Sequence, residues 1–273
     1  MARQAVETLA EMAAEVGGTS EEGLDALRDA GRRLAAARPG VGAIAGAVGR
    51  LLASGRYESH LEPESLRRVL EEEALALTEG RMRAPASIAI QLRERLEGAT
   101  VMTHSASATV REAITHTPPE KLICTVSRPV EEGRAFADDL RVAGLEVELI
   151  EDSEAPGRIS ETSLFLIGAD TVFSDGAVCN KVGTIPIARA ASTAGIDTVV
   201  AAEVVKLAPV VGAQAPDLAD FERELFEMIP SDLVAEFVTE EGVFRPDEIG
   251  TLVDRVPFLR EGYELVAPAS VSQ

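Results

Sequence analysis

The chain has no tryptophan, only 2 tyrosines and 2 cysteines, and just three lysines, Lys121, Lys181 and Lys206, among its 26 basic residues. Each shortage excludes something. Two cysteines, Cys124 and Cys179, in 273 residues make neither a disulfide framework nor a metal site, and no CxxC or HExxH spacing occurs, so neither a metal nor a cofactor is expected. No apolar stretch approaches the length of a membrane span, and the N-terminus, MARQAVETLAEMAAEV, lacks the apolar core of a signal peptide. These absences predict a soluble, cytoplasmic protein with no membrane partner.

What is present in excess is acid, with 46 Asp and Glu against 26 Lys and Arg and a formal net charge of −20. Such a surface repels nucleic-acid phosphates and anionic lipid, and no basic run is dense enough to override it, so no direct nucleic-acid partner is expected. A hydrophobic content of 46% supplies a real core, and the length suits one large α/β unit or two domains of ordinary size. The acid-rich, lysine-poor balance matches proteins of salt-loving organisms, whose salt screens self-repulsion; a GC-rich genome is the alternative source of the arginines.

The first hundred residues carry helical spacing. Val6, Leu9, Met12 and Ala13 form one stripe, which stops at Gly17 and Gly18. Thr19 or Ser20 can cap a second helix through Leu24, Leu27 and Leu34 to Pro39, and a third stripe holds Ile44, Val48, Leu51 and Leu52. Pro63 and Glu64 open a long helix containing Leu66 to Leu77, and a further helix covers Ser87 to Leu96. After Gly98, β-branched runs alternate with amphipathic stretches. Candidate strands are Thr100 to Thr103, Leu122 to Val126, Glu146 to Ile150, Leu164 to Ile167, Thr198 to Ala201 and Glu236 to Thr239. Between most of them lie candidate helices at Ala108 to Thr115, Glu131 to Ala143, Thr184 to Ala194 and Leu218 to Met228. This succession predicts an α/β protein with a helical N-terminal domain, residues 1–98, and a doubly wound, Rossmann-like domain with a parallel sheet, residues 99–273. The tail VAPASVSQ is expected to fray.

In open parallel sheets ligands bind outside the carboxyl ends of the strands, so the residues after each strand are the candidates. They are Thr103, His104, Ser105 and Ser107; Ser127 and Arg128; Glu151 and Asp152; Asp170, followed by the segment from Ser174 to Thr184; and Glu203 and Lys206. Small hydroxyl residues leading into a helix can hold a phosphate on free N–H groups. Read singly, His104 bonds a backbone carbonyl, Ser105 caps a helix, Arg128 lies on the surface and Asp170 caps a turn. Read together, with two of the three lysines among them, they form a site for a phosphorylated small molecule.

The segment GADTVFSDGAVCNKVGTIPIA, residues 168–188, resembles the signature shared by the α, β and δ subunits of translation initiation factor 2B and by ribose-1,5-bisphosphate and methylthioribose-1-phosphate isomerases. THSAS at 103–107, SRP at 127–129, AAEVVK at 201–206 and FVTEEGVFRP at 237–246 follow in the order that family uses. The resemblance implies a sugar-phosphate pocket in which Asn180 and Lys181 are a ligand-contacting pair and Lys206 and Arg128 are further basic contacts. It also implies that Asp170 is one of two residues moving protons or hydride between adjacent carbons. The other, a cysteine in the isomerases, is replaced here by Ser105, a much weaker acid for which the local sequence offers no base.

Two functions follow as expectations. The first is a regulatory, non-catalytic factor-2B-like protein that binds a sugar phosphate or nucleoside monophosphate. The second is a ribose-1,5-bisphosphate isomerase using Asp170, with His104 as the nearest alternative acid. The resemblance also implies a homodimer or homohexamer, and Val204 to Val211 is a segment that suits an interface or the core equally.

Overall fold

The computed structural model describes residues 8–9, 12, 20–56, 63–257 and 259–266. The stripe from Val6 to Ala13, apart from Leu9 and Met12, and the tail after Val266 lie outside the described residues. Helix α1 spans Ser20–Ala37, α2 Gly42–Arg56 and α3 Pro63–Leu96. Leu24 and Leu27 of α1 share one core with Ile44, Val48, Leu51 and Leu52 of α2 and with Leu66 and Leu70 of α3. The helical spacing in the sequence is thus realised as one apolar face per helix.

Helix α3 corrects the expectation of two helices: it is a single helix of 34 residues with Pro85 inside. Its halves are anchored in different cores, Leu66, Leu70 and Leu77 among the helices and Ile88, Leu92 and Leu96 beneath the sheet. Gln91 donates to the Thr239 carbonyl at 2.7 Å and Arg95 pairs with Glu236 at 2.6 Å. Burial on both sides of Pro85 offsets the helix hydrogen bond that a proline removes.

From Thr100 the chain alternates β1 Thr100–Thr103, α4 Ala108–His116, β2 Lys121–Thr125, α5 Glu132–Val142, β3 Val147–Ile150 and β4 Leu164–Ile167. There follow β5 Thr171–Phe173, β6 Val178–Lys181, α6 Thr184–Ala194, β7 Thr198–Ala201, β8 Leu207–Ala208, β9 Phe226–Ile229, β10 Glu236–Thr239 and β11 Gly242–Phe244. The main sheet has the order β11-β10-β7-β4-β1-β2-β3, parallel throughout except for the edge strand β11. The α/β class, with helices first and a parallel-rich sheet after, is as expected. The strand order reverses between β1 and β4, so the carboxyl ends of these two strands flank a crevice.

A second sheet, β8-β5-β6-β9, is the largest departure from expectation. The predicted helix from Leu218 to Met228 is helical only at Asp220–Arg223; Phe226–Ile229 pairs instead with β6, Phe226 opposite Lys181. Glu222, fully buried, accepts from Arg38 at 3.1 Å and from the Gly40 N–H at 3.2 Å. That tertiary anchor overrides the local helical pattern. The segment from Ser174 to Thr184, to which the sequence pattern assigns no strand, likewise contains one, β6, which holds Asn180 and Lys181.

The chain closes with α7 Ile249–Arg255 and α8 Leu259–Val266, and α8 returns to pack on α2. At the crossing, a Cβ on Gly49 would lie 2.5 Å from the backbone carbonyl of Gly262. Gly49→Ala is therefore expected to destabilise by about 1–3 kcal/mol through overpacking. Gly80, in mid-helix on α3, has nothing within 4 Å of an added Cβ. Gly80→Ala should stabilise by roughly 0.5–1 kcal/mol, because alanine has less backbone entropy to lose. Urea midpoints of the two variants check both signs.

Candidate functional site

The site begins where β1 ends. Thr103 and His104 are buried, and the His104 ring bridges two elements. Its Nε2 donates to the Val182 carbonyl at 2.9 Å, because a carbonyl only accepts, and Nδ1 therefore accepts from the Thr125 hydroxyl at 2.6 Å. Burial lowers the pKa of His104, so the ring is neutral with both nitrogens occupied. His104 therefore ties β1 to β2 and β6, and it is not poised as the alternative acid. Gly183 makes this possible: it sits at φ +98, and an added Cβ would lie 3.1 Å from His104 Nε2.

Ser105 turns the chain at φ +70, and Ser127 and Glu131 on neighbouring loops stand at φ 66 and 61. A left-handed non-glycine residue costs on the order of 1 kcal/mol or more, and here such residues cluster around one point. The Ser105 N–H donates to Ser127 Oγ at 2.8 Å, and Asp152 holds the N–H groups of Ser127 and Arg128, each at 2.7 Å. The Ser105 hydroxyl donates to Glu132 Oε1 at 2.7 Å. The other oxygen of Glu132 receives the Lys181 ammonium at 3.1 Å, with Lys181 95% shielded from solvent and Glu132 24% exposed.

Glu132 is the crevice residue that spacing misses, being 27 residues from Ser105 and 49 from Lys181. One signal for it exists, the glycine that follows. A Cβ on Gly133 would lie 1.9 Å from the Thr125 carbonyl oxygen, so only glycine lets the first turn of α5 press against the end of β2. That contact carries Glu132 over the end of β1.

Across the crevice, Asp170 follows β4. Its N–H donates to the Cys179 carbonyl at 3.0 Å, and its own carbonyl accepts from the Gly42 N–H at 3.1 Å, which docks the start of α2 onto the site. Thr171 completes the junction, accepting from the Gly42 N–H at 2.7 Å and donating to the Gly40 carbonyl at 2.8 Å. Burial raises the Asp170 pKa to about 6 against the opposing charges of Lys206 and Arg38, while Glu132 and Glu222 push it further up. An acid poised near neutrality thus lies within the field of the Glu132 carboxylate.

The remaining candidates fall into two groups. Asn180 is buried and donates to Thr184 Oγ1 at 3.4 Å, beside Lys181, while Lys206 lies close enough for its charge to act on Asp170. Ser107 serves as the N-cap of α4, accepting from the Val110 N–H at 3.3 Å. Arg128 stands apart, half exposed and ion-paired with Glu131 at 2.5 Å and Glu151 at 3.0 Å. Cys124 and Cys179 are buried, with thiol pKa values raised by desolvation, so neither thiol is reactive. A separate cavity of about 500 Å³ opens between α2, α3 and the exits of β7 and β10, lined by Arg50, Arg83, Phe244 and Arg255 among others. It contains none of Ser105, Glu132, Asp170 or Lys181 and is not the crevice described above. Among the described residues no helix is long and apolar enough to cross a membrane, and no cluster of potential metal ligands occurs.

Residues 1–224 match the Initiation factor 2 subunit family. A ribose 1,5-bisphosphate isomerase of Archaeoglobus fulgidus is 33% identical over 173 residues, 55% of this chain and 55% of that protein, so the chain aligns with about half of that relative's length. A ribose 1,5-bisphosphate isomerase of Haloferax volcanii is 30% identical, with 76% of each chain covered. The Pyrococcus horikoshii OT3 translation initiation factor eIF-2B has the same fold, with a TM-score of 0.77, 26% identity and 90% of both chains covered.

Proposed function

The chain belongs to the Initiation factor 2 subunit family, and from that premise we propose that its crevice binds a phosphorylated sugar and isomerises an aldose phosphate to the ketose. What supports this most is that the strands flanking the switch point end in a raised-pKa acid, Asp170, and in Ser105, whose hydroxyl shares the Glu132 carboxylate with the buried Lys181. On a surface of net charge −20, the ammonium groups of Lys181 and Lys206 are the natural seats for phosphate, with Asn180 beside Lys181 supporting them. Two named relatives act on ribose 1,5-bisphosphate, which supports an aldose bisphosphate as substrate.

Titrating ribose 1,5-bisphosphate into the protein, in molar potassium chloride to suit its acid-rich surface, tests the binding half of this reading. Wild type is expected to bind, and Lys181→Met to lose affinity by roughly 10–100-fold, the worth of one charged hydrogen bond. A sugar bisphosphate that does not bind, or binds the variant equally well, removes the assignment.

The second reading is a non-catalytic regulatory subunit, homodimeric or homohexameric, that senses a sugar phosphate or nucleoside monophosphate. Serine in place of the cysteine at position 105 favours it, as does the likeness to the Pyrococcus factor. The two readings part on turnover.

A further inference from the structure

We propose that Glu132 is the general base of this site, supplying the function that the absent thiol at Ser105 cannot, and that it works in concert with Asp170 as the acid. This rests on the isomerase reading above. The geometry behind it is specific. Ser105 and Lys181 each take one carboxylate oxygen of Glu132, at 2.7 and 3.1 Å, which fixes the plane of the group and leaves each oxygen a lone pair. With 24% of the side chain exposed, Glu132 is reachable by a ligand, unlike the fully occupied His104 ring. Lys181 of β6 holds Glu132 at 3.1 Å, and the Asp170 N–H donates to the carbonyl of Cys179 on the same strand at 3.0 Å, so one strand brings the two carboxyl groups to the same crevice. A pair of carboxyl groups in unlike environments, one beside an ammonium and one desolvated, is the arrangement that separates base from acid.

The chemistry balances without a redox partner. With a furanose 1-phosphate bound, Glu132 takes the proton from carbon 2. The C–H electron pair forms the double bond between carbons 1 and 2, the bond from carbon 1 to the ring oxygen breaks, and Asp170 delivers its proton to that oxygen. Glu132 then returns its proton to carbon 1 while Asp170 accepts the proton of the carbon 2 hydroxyl, leaving a ketone at carbon 2. Both side chains end as they began, and the phosphate stays on carbon 1. Ser105 acts only as a hydrogen-bond donor that positions the base.

The test compares Glu132→Gln, Glu132→Asp and Ser105→Ala with wild type, measuring kcat, KM, ligand affinity and thermal stability on ribose 1,5-bisphosphate. Glu132→Gln keeps the shape and the contact to Ser105, so the fold should hold. Its kcat is expected to fall by about 10²–10⁴-fold, the range for loss of a general base. Its ligand affinity should be unchanged or tighter, because Lys181 is released from an internal carboxylate. Glu132→Asp should recover part of the rate, and Ser105→Ala should stay within about tenfold of wild type, the low end for loss of a hydrogen bond to a charged group, because Lys181 still holds Glu132. Turnover surviving in Glu132→Gln, or lost equally in Ser105→Ala, overturns the role of Glu132 and leaves the isomerase reading standing. Wild-type protein that binds the sugar without converting it overturns both.

Discussion

Asp170→Asn is expected to lower turnover by about three orders of magnitude and, at pH 8, to make the folded protein more stable by about 3 kcal/mol. The two effects share one cause. Burial holds the Asp170 pKa at about 6 rather than the ordinary 3.8. That difference corresponds to about 3 kcal/mol, at about 1.4 kcal/mol per tenfold change in proton affinity. The raised value means that the folded state binds the proton more tightly than the unfolded chain. The stability it contributes is complete below pH 4, is lost as pH climbs towards 6, and stays lost above. Asparagine never ionises, so the stability curves of variant and wild type should converge below about pH 4 and separate above about pH 6. Urea unfolding at pH 4 and pH 8 measures the gap. The competing effect is the attraction of Asp170 to Lys206 and Arg38, which burial outweighs. A variant less stable than wild type at pH 8 would reverse that order. In activity, kcat/KM of wild type should fall on the alkaline side from about pH 6, the point at which free Asp170 loses the proton it donates.

Gly133→Ala is the substitution expected to damage fold and site together. The new Cβ would meet the Thr125 carbonyl oxygen at 1.9 Å and the Val126 carbonyl oxygen at 2.9 Å, both backbone atoms that no side-chain rotation can clear. Helix α5 must move away from β2, at a cost of about 3 kcal/mol or more for overpacking at a rigid contact. Glu132 travels with the helix, and its contacts to Ser105 and Lys181 open. A displacement of about 1 Å costs on the order of 10²-fold in rate. Denaturant midpoint and kcat measured on the same preparation separate the two losses. A variant with wild-type stability and turnover contradicts the role given to this glycine.

The sequence made the main sheet readable and hid the second one, for reasons that particular residues make plain. Thr100–Thr103, Leu164–Ile167, Thr198–Ala201 and Glu236–Thr239 are short β-branched or apolar runs, each buried at every position or all but one. Their pattern is local, and burial in a parallel sheet demands no more of them. Val178–Lys181 is a strand whose last two residues are a buried amide and a buried ammonium, which no hydrophobic pattern announces. Phe226–Ile229 pairs with it just after Glu222, a buried carboxylate held by Arg38 and the Gly40 N–H, contacts more than 180 residues apart that no local pattern encodes.

The candidate site divides along the same line. Residues at strand exits, His104, Ser105, Asp170 and Lys206, are visible from sequence because strand ends can be located. The meeting of Ser105 with Glu132, and of Glu132 with Lys181, arises from strand order and from the close approach at Gly133, neither of which a linear pattern encodes. Without Glu132, Ser105 looks like the loss of a catalytic group; with it, the crevice holds a carboxylate, the proposed base.

One measurement bears most directly on the claim that this crevice is a working aldose-ketose isomerase site. Purified protein is incubated with ribose 1,5-bisphosphate in molar potassium chloride, and the ketose bisphosphate is followed over time. The account predicts catalytic turnover, many product molecules per protein, declining above about pH 6 in kcat/KM. Binding of the sugar with no ketose formed at any pH would contradict it and return the protein to the regulatory reading.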